Sequence, residues 1–131
     1  MIYVDTSAFL AICNPEDPSY QIALDTWKNL IEKGERLASN NYVLVESIAL
    51  IQNRVGLEAL SILHNDIIPF LEIEWLDESL HNGVMDQVIT GNRRQISMVD
   101  YSSFATMKRH NIRTAFTFDD HFRQHGFEII P

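Results

Sequence analysis

Short, nearly continuous apolar runs alternate along the chain with longer stretches in which apolar residues recur every three or four positions, a pattern that predicts strands and helices by turns. Ile2–Val4 reads as a buried strand running into DTSAFLAI, where Thr6 or Ser7 can cap a short helix with Phe9, Leu10 and Ile12 on its apolar side. NPEDPSY breaks the pattern. Asp17 then reads as an N-cap with Pro18 at the first helical position, and Ile22, Ala23, Trp27, Leu30 and Ile31 keep helical spacing to Lys33, where Gly34 stops the helix. Arg36–Ala38 fits a short strand. Asn40 or Asn41 caps YVLVESIALIQNRV, which is too long for a strand and places Val43, Ile48, Leu50 and Ile51 in a buried helix. Gly56–Ile68 reads as a further amphipathic helix, and FLEIEWL alternates apolar and acidic residues as a strand does. Asp77 caps a helix reaching about Ile89, ended by Gly91. Ser97 caps another, with Val99, Phe104, Ala105 and Met107 inward and Lys108, Arg109 and His110 at the negative end of its dipole. RTAFTF is a strand, DDHFRQHG a short helix ended by Gly126, and FEII a last strand. This alternation calls for an α/β protein, a three-layer α/β/α sandwich around a mainly parallel sheet. No repeat, low-complexity tract or linker divides residues 1–131, so a single domain is expected.

Composition changes this picture little. The chain is 46% hydrophobic, has no apolar stretch near the roughly 18 residues of a bilayer span, and lacks a signal-peptide pattern, so a cytoplasmic protein with no membrane partner is expected. Its single cysteine, Cys13, lies in an apolar setting that suits an inert core thiol. The net charge of −8 argues against nucleic acid, except that acids holding a cation belong with the metal they bind.

The candidate chemistry gathers at the carboxyl ends of the strands, where ligands of parallel sheets collect. Asp5 follows the first strand and Asp119 follows AFTF. A carboxylate at the tip of a buried strand costs desolvation energy unless a donor or cation meets it. Aspartate is also common in caps and turns, so either residue alone fits a turn as well. Glu46 is a lone charge within an apolar helix, and Asp100 stands in the first turn after Ser97, where it can also complement the dipole. Clustered carboxylates repel one another, and a hard divalent ion relieves that repulsion. Mg²⁺, or Mn²⁺ in its place, takes oxygen ligands at about 2.0–2.1 Å, acidifies bound water and leaves positions for phosphate oxygens, which is the chemistry of phosphodiester hydrolysis.

VDTSAFL, Glu46 inside the third helix, SMVDYSSF and FTFDDHFRQHGFEII resemble, in order and spacing, the signatures of PIN-domain nucleases, particularly the VapC-type toxins of prokaryotic toxin–antitoxin systems. The resemblance spans essentially the whole chain. It implies an α/β/α domain with a parallel sheet, Mg²⁺ or Mn²⁺, and endoribonuclease activity on RNA. Asp5, Glu46, Asp100 and Asp119 would be the metal-holding and catalytic acids, with Thr6, Ser97 and Thr117 as hydroxyls orienting them or their waters. His121 would belong to a structural motif beside the site, and Asp120 reads as solvated. The resemblance also implies a homodimer and a small antitoxin protein covering the acidic pocket. Tyr20 and Trp27 are candidates for that surface, although Trp27 suits a core position better.

Other chemistries are poorly supported. His121 and His125 have the spacing of a metal pair but no third ligand near them in sequence, and neither a Gly-x-Ser-x-Gly elbow nor a Walker loop is present. A phosphoacceptor domain would need a second acid beside Asp5, a mid-chain strand-end aspartate and a lysine at the final strand. Arg93, Arg94, Lys108, Arg109 and Arg113 can hold RNA phosphates or simply be solvated. An RNA-processing nuclease of the same fold, or an inactive RNA- or partner-binding module, stands as the alternative function.

Overall fold

Ile2–Val4 (β1) is the middle strand of a five-stranded sheet in a computed structural model that describes all 131 residues, which explains why Tyr3 and Val4 are fully buried. Leu37–Asn40 (β2) and Leu71–Glu74 (β3) lie on one side of it, Thr114–Phe116 (β4) and Glu128–Ile130 (β5) on the other, giving the order β3-β2-β1-β4-β5 with every pairing parallel. Seven helices flank the sheet: α1 (Thr6–Cys13), α2 (Tyr20–Glu32), α3 (Asn41–Arg54), α4 (Leu57–Ile62), α5 (Glu78–Gly91), α6 (Met98–Arg109) and α7 (His121–Gln124). Right-handed crossovers place the connections to β2 and β3 on one face and those to β4 and β5 on the other, so the expected three-layer α/β/α architecture is formed. The strand order reverses beside β1, the position beyond whose carboxyl ends ligands of open parallel sheets bind.

Alternate residues of β1 serve the two faces. Tyr3 packs on the α6–α7 side, against Phe122 and with its hydroxyl donating to Ser103 Oγ at 2.9 Å; Phe104, Phe122 and Phe127 extend this aromatic layer. Cys13 is buried with its thiol pushed up to about 11 by that burial, as suits an inert core residue. Trp27 is likewise core, edge-on to Phe70. No helix is long and apolar enough to cross a membrane.

Three local expectations are corrected. α2 starts at Tyr20, after Pro18, because Asp17 Oδ1 accepts from Ser19 N at 2.8 Å and closes a turn instead of capping a helix. The helix read over Gly56–Ile68 breaks after α4 into a π-turn, Leu63–Ile67, and a 3₁₀ turn, Ile68–Phe70. Pro69 cannot donate to a helical ladder, so the helix does not continue through it and the chain passes by these turns into β3, which is shorter than FLEIEWL. The left-handed residue ending α5 is Asn92, φ 51°, not Gly91.

Gly91 has a different role: a Cβ there would overlap the Tyr101 hydroxyl and lie 3.2 Å from Cζ. Gly83, in the same helix, is exposed and has nothing within 4 Å of such a Cβ. Gly91→Ala is therefore expected to destabilise by about 1–3 kcal/mol through overpacking, and Gly83→Ala to stabilise by about 0.5–1 kcal/mol through helix propensity. Urea unfolding reads both, and equal signs would refute the packing account.

Candidate active site

Asp5 leaves β1 and becomes the N-cap of α1, so the cap is neither Thr6 nor Ser7. Its Oδ2 accepts from Ser7 N at 3.3 Å, Ser7 Oγ at 2.9 Å and Thr117 Oγ1 at 3.0 Å, leaving Oδ1 without a protein donor. Each hydroxyl has one proton and gives it to Asp5. Their lone pairs then accept backbone N–H groups of the turn after β4, Phe118 N on Ser7 Oγ at 2.9 Å and Asp119 N on Thr117 Oγ1 at 3.0 Å. One network thus fixes the Asp5 carboxylate and the turn that carries Asp119.

Asp100 is placed by a capping box at the start of α6, in which its N–H donates to Ser97 Oγ at 3.1 Å and its Oδ2 accepts from Ser97 N at 3.4 Å. Glu46 is half-buried in α3, whose N-cap Asn40 ends β2 beside Asp5. The acids act on one another pairwise along a chain, Asp5 on Glu46, Asp100 on Asp5 and Asp119 on Asp100. Burial, then the Asp100 charge, raise the Asp5 carboxyl above the usual range against the pull of Ser7 and Thr117. Burial also raises Glu46, offset by nearby Thr6 and reinforced by Asp5, and it raises Asp100, reinforced by Asp119 and opposed by Ser97 and His121. The structure brings Asp100 and Asp119 together, ties Asp5 to the Asp119 turn through Thr117, and leaves Glu46 on the adjoining helix with Asp5 as the acid it senses.

The donor set fits a divalent cation. Arginine ion pairs go to Glu72, Glu74 and Asp120, none to the four acids. His121 Nδ1 is buried without a hydrogen-bond partner at the same rim. Carboxylates raised by burial and mutual repulsion, with an unspent polar atom among them, suit a hard ion.

The basic candidates separate by position. Arg93 and Arg94 are exposed in the loop leading to Ser97, on the acids' side. Lys108 and Arg109 lie at the far end of α6, Arg109 engaged by Glu74, and Arg113 precedes β4 at the opposite edge of the sheet. Asp120 is exposed and paired with Arg123 at 2.6 Å. His125 stacks on Phe104 and bonds the His121 carbonyl oxygen through Nδ1 at 2.9 Å, so it forms no metal pair with His121.

Two contributors escaped the sequence reading. Ser7 holds Asp5, for which the only signal is its position two residues after a strand-end aspartate. His121 Nδ1 sits 3.3 Å from Asp119 Oδ1 and 3.6 Å from Asp100 Oδ2, inside the acidic rim and not merely beside it.

The PIN domain profile matches residues 2–128. The chain belongs to the PIN domain family. It is 29% identical to VapC20 of Mycobacterium tuberculosis, a 23S rRNA-specific endonuclease, over 133 aligned positions that cover 100% of this chain and 99% of the relative. The crystal structure of that VapC20, a sarcin–ricin loop cleaving toxin, matches with a TM-score of 0.82 at 28% identity, each chain covered in full. FitAcB from Neisseria gonorrhoeae shares the fold, with a TM-score of 0.70 at 18% identity over 100% of this chain and 97% of the other. Both the PIN resemblance and the fold class read from the sequence are borne out.

Proposed function

We propose that this PIN domain is a divalent-metal-dependent endoribonuclease and the toxin half of a toxin–antitoxin pair. The observation that carries the reading is a chain of neighbouring carboxylates, Glu46 sensing Asp5, Asp5 sensing Asp100 and Asp100 beside Asp119, with no lysine or arginine paired to any of them. Those four residues would hold the ion, Mg²⁺ or Mn²⁺, which when bound supplies an acidified water and charge for the leaving oxygen. Ser7 and Thr117 occupy one oxygen of Asp5 and leave the other without a protein donor, while Ser97 fixes Asp100. Arg93 and Arg94 are the residues placed to hold an RNA phosphate on the same side.

The similarity to VapC20 supports structured ribosomal RNA as the substrate class. We extend the proposal to a homodimer acting in the cytoplasm and silenced by a small antitoxin. A groove of about 320 Å³ lined by Ile12, Tyr20, Leu24, Trp27, Ile62 and Ile67 offers an apolar seat for an antitoxin segment. Its basic side chain would neutralise the acidic rim.

The test is cleavage of ribosomal RNA by the purified chain with Mg²⁺, with Mn²⁺ and with chelator, mapping the new ends. Internal cuts that vanish in chelator and in Asp100→Asn are expected. Undiminished cutting in chelator, or by a folded Asp100→Asn, would overturn the mechanism.

A further inference from the structure

We propose that His121 supplies a nitrogen ligand, through Nδ1, to the ion held by Asp100 and Asp119, making the centre a mixed oxygen–nitrogen site that takes Mn²⁺ in preference to Mg²⁺. This rests on the metal-dependent reading above and narrows it to the identity of the ion.

One nitrogen and two carboxylate oxygens, from His121, Asp100 and Asp119, come within 4.8 Å of one another. The Nδ1 separations of 3.3 Å and 3.6 Å compare with an octahedron edge of about 3.0 Å for bonds near 2.1 Å, so a shift of a few tenths of an ångström closes the two edges that run from the nitrogen. Direction adds to distance. The Asp119 contact is within hydrogen-bonding reach, yet Nδ1 makes no hydrogen bond to it or to any other atom and is shielded from solvent. A histidine acting only as a counter-charge would aim its N–H at one carboxylate. This ring aims at neither, as a ligand directed to a shared centre does.

The placement is held from both sides. His121 N donates to Asp119 Oδ1 at 2.9 Å, and the His121 carbonyl oxygen is taken by His125 Nδ1. An imidazole in place of a water changes selectivity, because Mg²⁺ favours oxygen ligands and binds imidazole poorly, whereas Mn²⁺ accepts it more readily.

The experiment measures Mn²⁺ and Mg²⁺ binding by calorimetry on the full chain and on His121→Asn, with pulsed electron paramagnetic resonance on the Mn²⁺-loaded proteins. A ¹⁴N coupling to Mn²⁺ is expected in the wild type and absent from the variant. The variant should lose Mn²⁺ affinity about tenfold or more while Mg²⁺ affinity moves less than about threefold. Absence of ¹⁴N coupling in the Mn²⁺-bound wild type overturns the proposal whether or not the variant folds, and leaves the nuclease reading intact. Equal loss of both affinities in a variant that melts like wild type in chelator also overturns it. Failure of the wild type to bind either ion would remove the metal-dependent reading as well.

Discussion

Asp5→Asn is expected to slow RNA cleavage by about 10²–10³-fold while raising the melting temperature of the metal-free protein. The opposite signs come from one cause. In the absence of an ion Asp5 is buried, faces the Asp100 charge and has its carboxyl raised despite donors from Ser7 and Thr117. Asparagine keeps an oxygen for those donors and removes the charge, so folding no longer desolvates a carboxylate. A raised carboxyl favours the folded state below its unfolded value, and that advantage is lost as pH rises through the folded one. The gain from Asp5→Asn should therefore be largest at pH 8 and shrink as pH falls toward the ordinary carboxylate range. Adding Mg²⁺ or Mn²⁺ reverses the ranking, because an ion that binds only the folded wild type stabilises it by mass action. Melting curves with chelator and with saturating ion, beside single-turnover cleavage, supply every arm. A variant that keeps wild-type cleavage, or melts lower than wild type in chelator at pH 8, would show that Asp5 is a structural cap and nothing more.

The acids were legible because each announces itself through misfit: a charge ending an apolar strand at Asp5 or following one at Asp119, and a lone charge in an apolar helix at Glu46. Asp100 was legible through the capping pattern from Ser97, which the structure shows as a reciprocal box. Ser7 and His121 were not legible in the same way. Their roles depend on which strand neighbours β1, and periodicity carries no information on strand order. The pairing of β1 with β4 brings Ser7 to Thr117, and these residues lie 110 positions apart. The same limit explains the helix boundaries. The apolar spacing of Leu63 and Ile67 is compatible with a continuous helix, but Pro69 and the need to enter β3 decide the geometry between them. Asn40 and Asn41 were equally good caps on paper. The structure separates them by what lies beyond the helix, since Asn41 Oδ1 accepts from Leu76 N at 2.8 Å while Asn40 Oδ1 takes the cap.

Asn40→Ala should destabilise the protein by about 2–4 kcal/mol and reduce cleavage even where the variant stays folded. Asn40 is fully buried and both its side-chain polar atoms are engaged: Oδ1 accepts from Val43 N at 2.9 Å, and Nδ2 donates to Ser102 Oγ at 3.1 Å and Thr106 Oγ1 at 3.2 Å. Alanine removes the cap of α3, about 1 kcal/mol, and adds a cavity and lost partners for two buried hydroxyls in α6. Asn40→Asp separates the contributions. It keeps the cap and the shape but places a carboxylate where Nδ2 donated, so burial should raise that carboxyl and make the variant less stable at pH 8 than at pH 5. The functional consequence follows from position: Asn40 joins β2 and α3, which carries Glu46, to α6, which carries Asp100. Loosening that joint lets two of the acids drift apart, and catalysis is sensitive to misplacement of about 1 Å. Urea unfolding of both variants at the two pH values, with cleavage measured well below their midpoints, decides the matter. An Asn40→Ala protein within about 0.5 kcal/mol of wild type would show that the buried amide is dispensable to the fold. Unchanged cleavage by a clearly destabilised variant would show that α3 and α6 hold their acids without it.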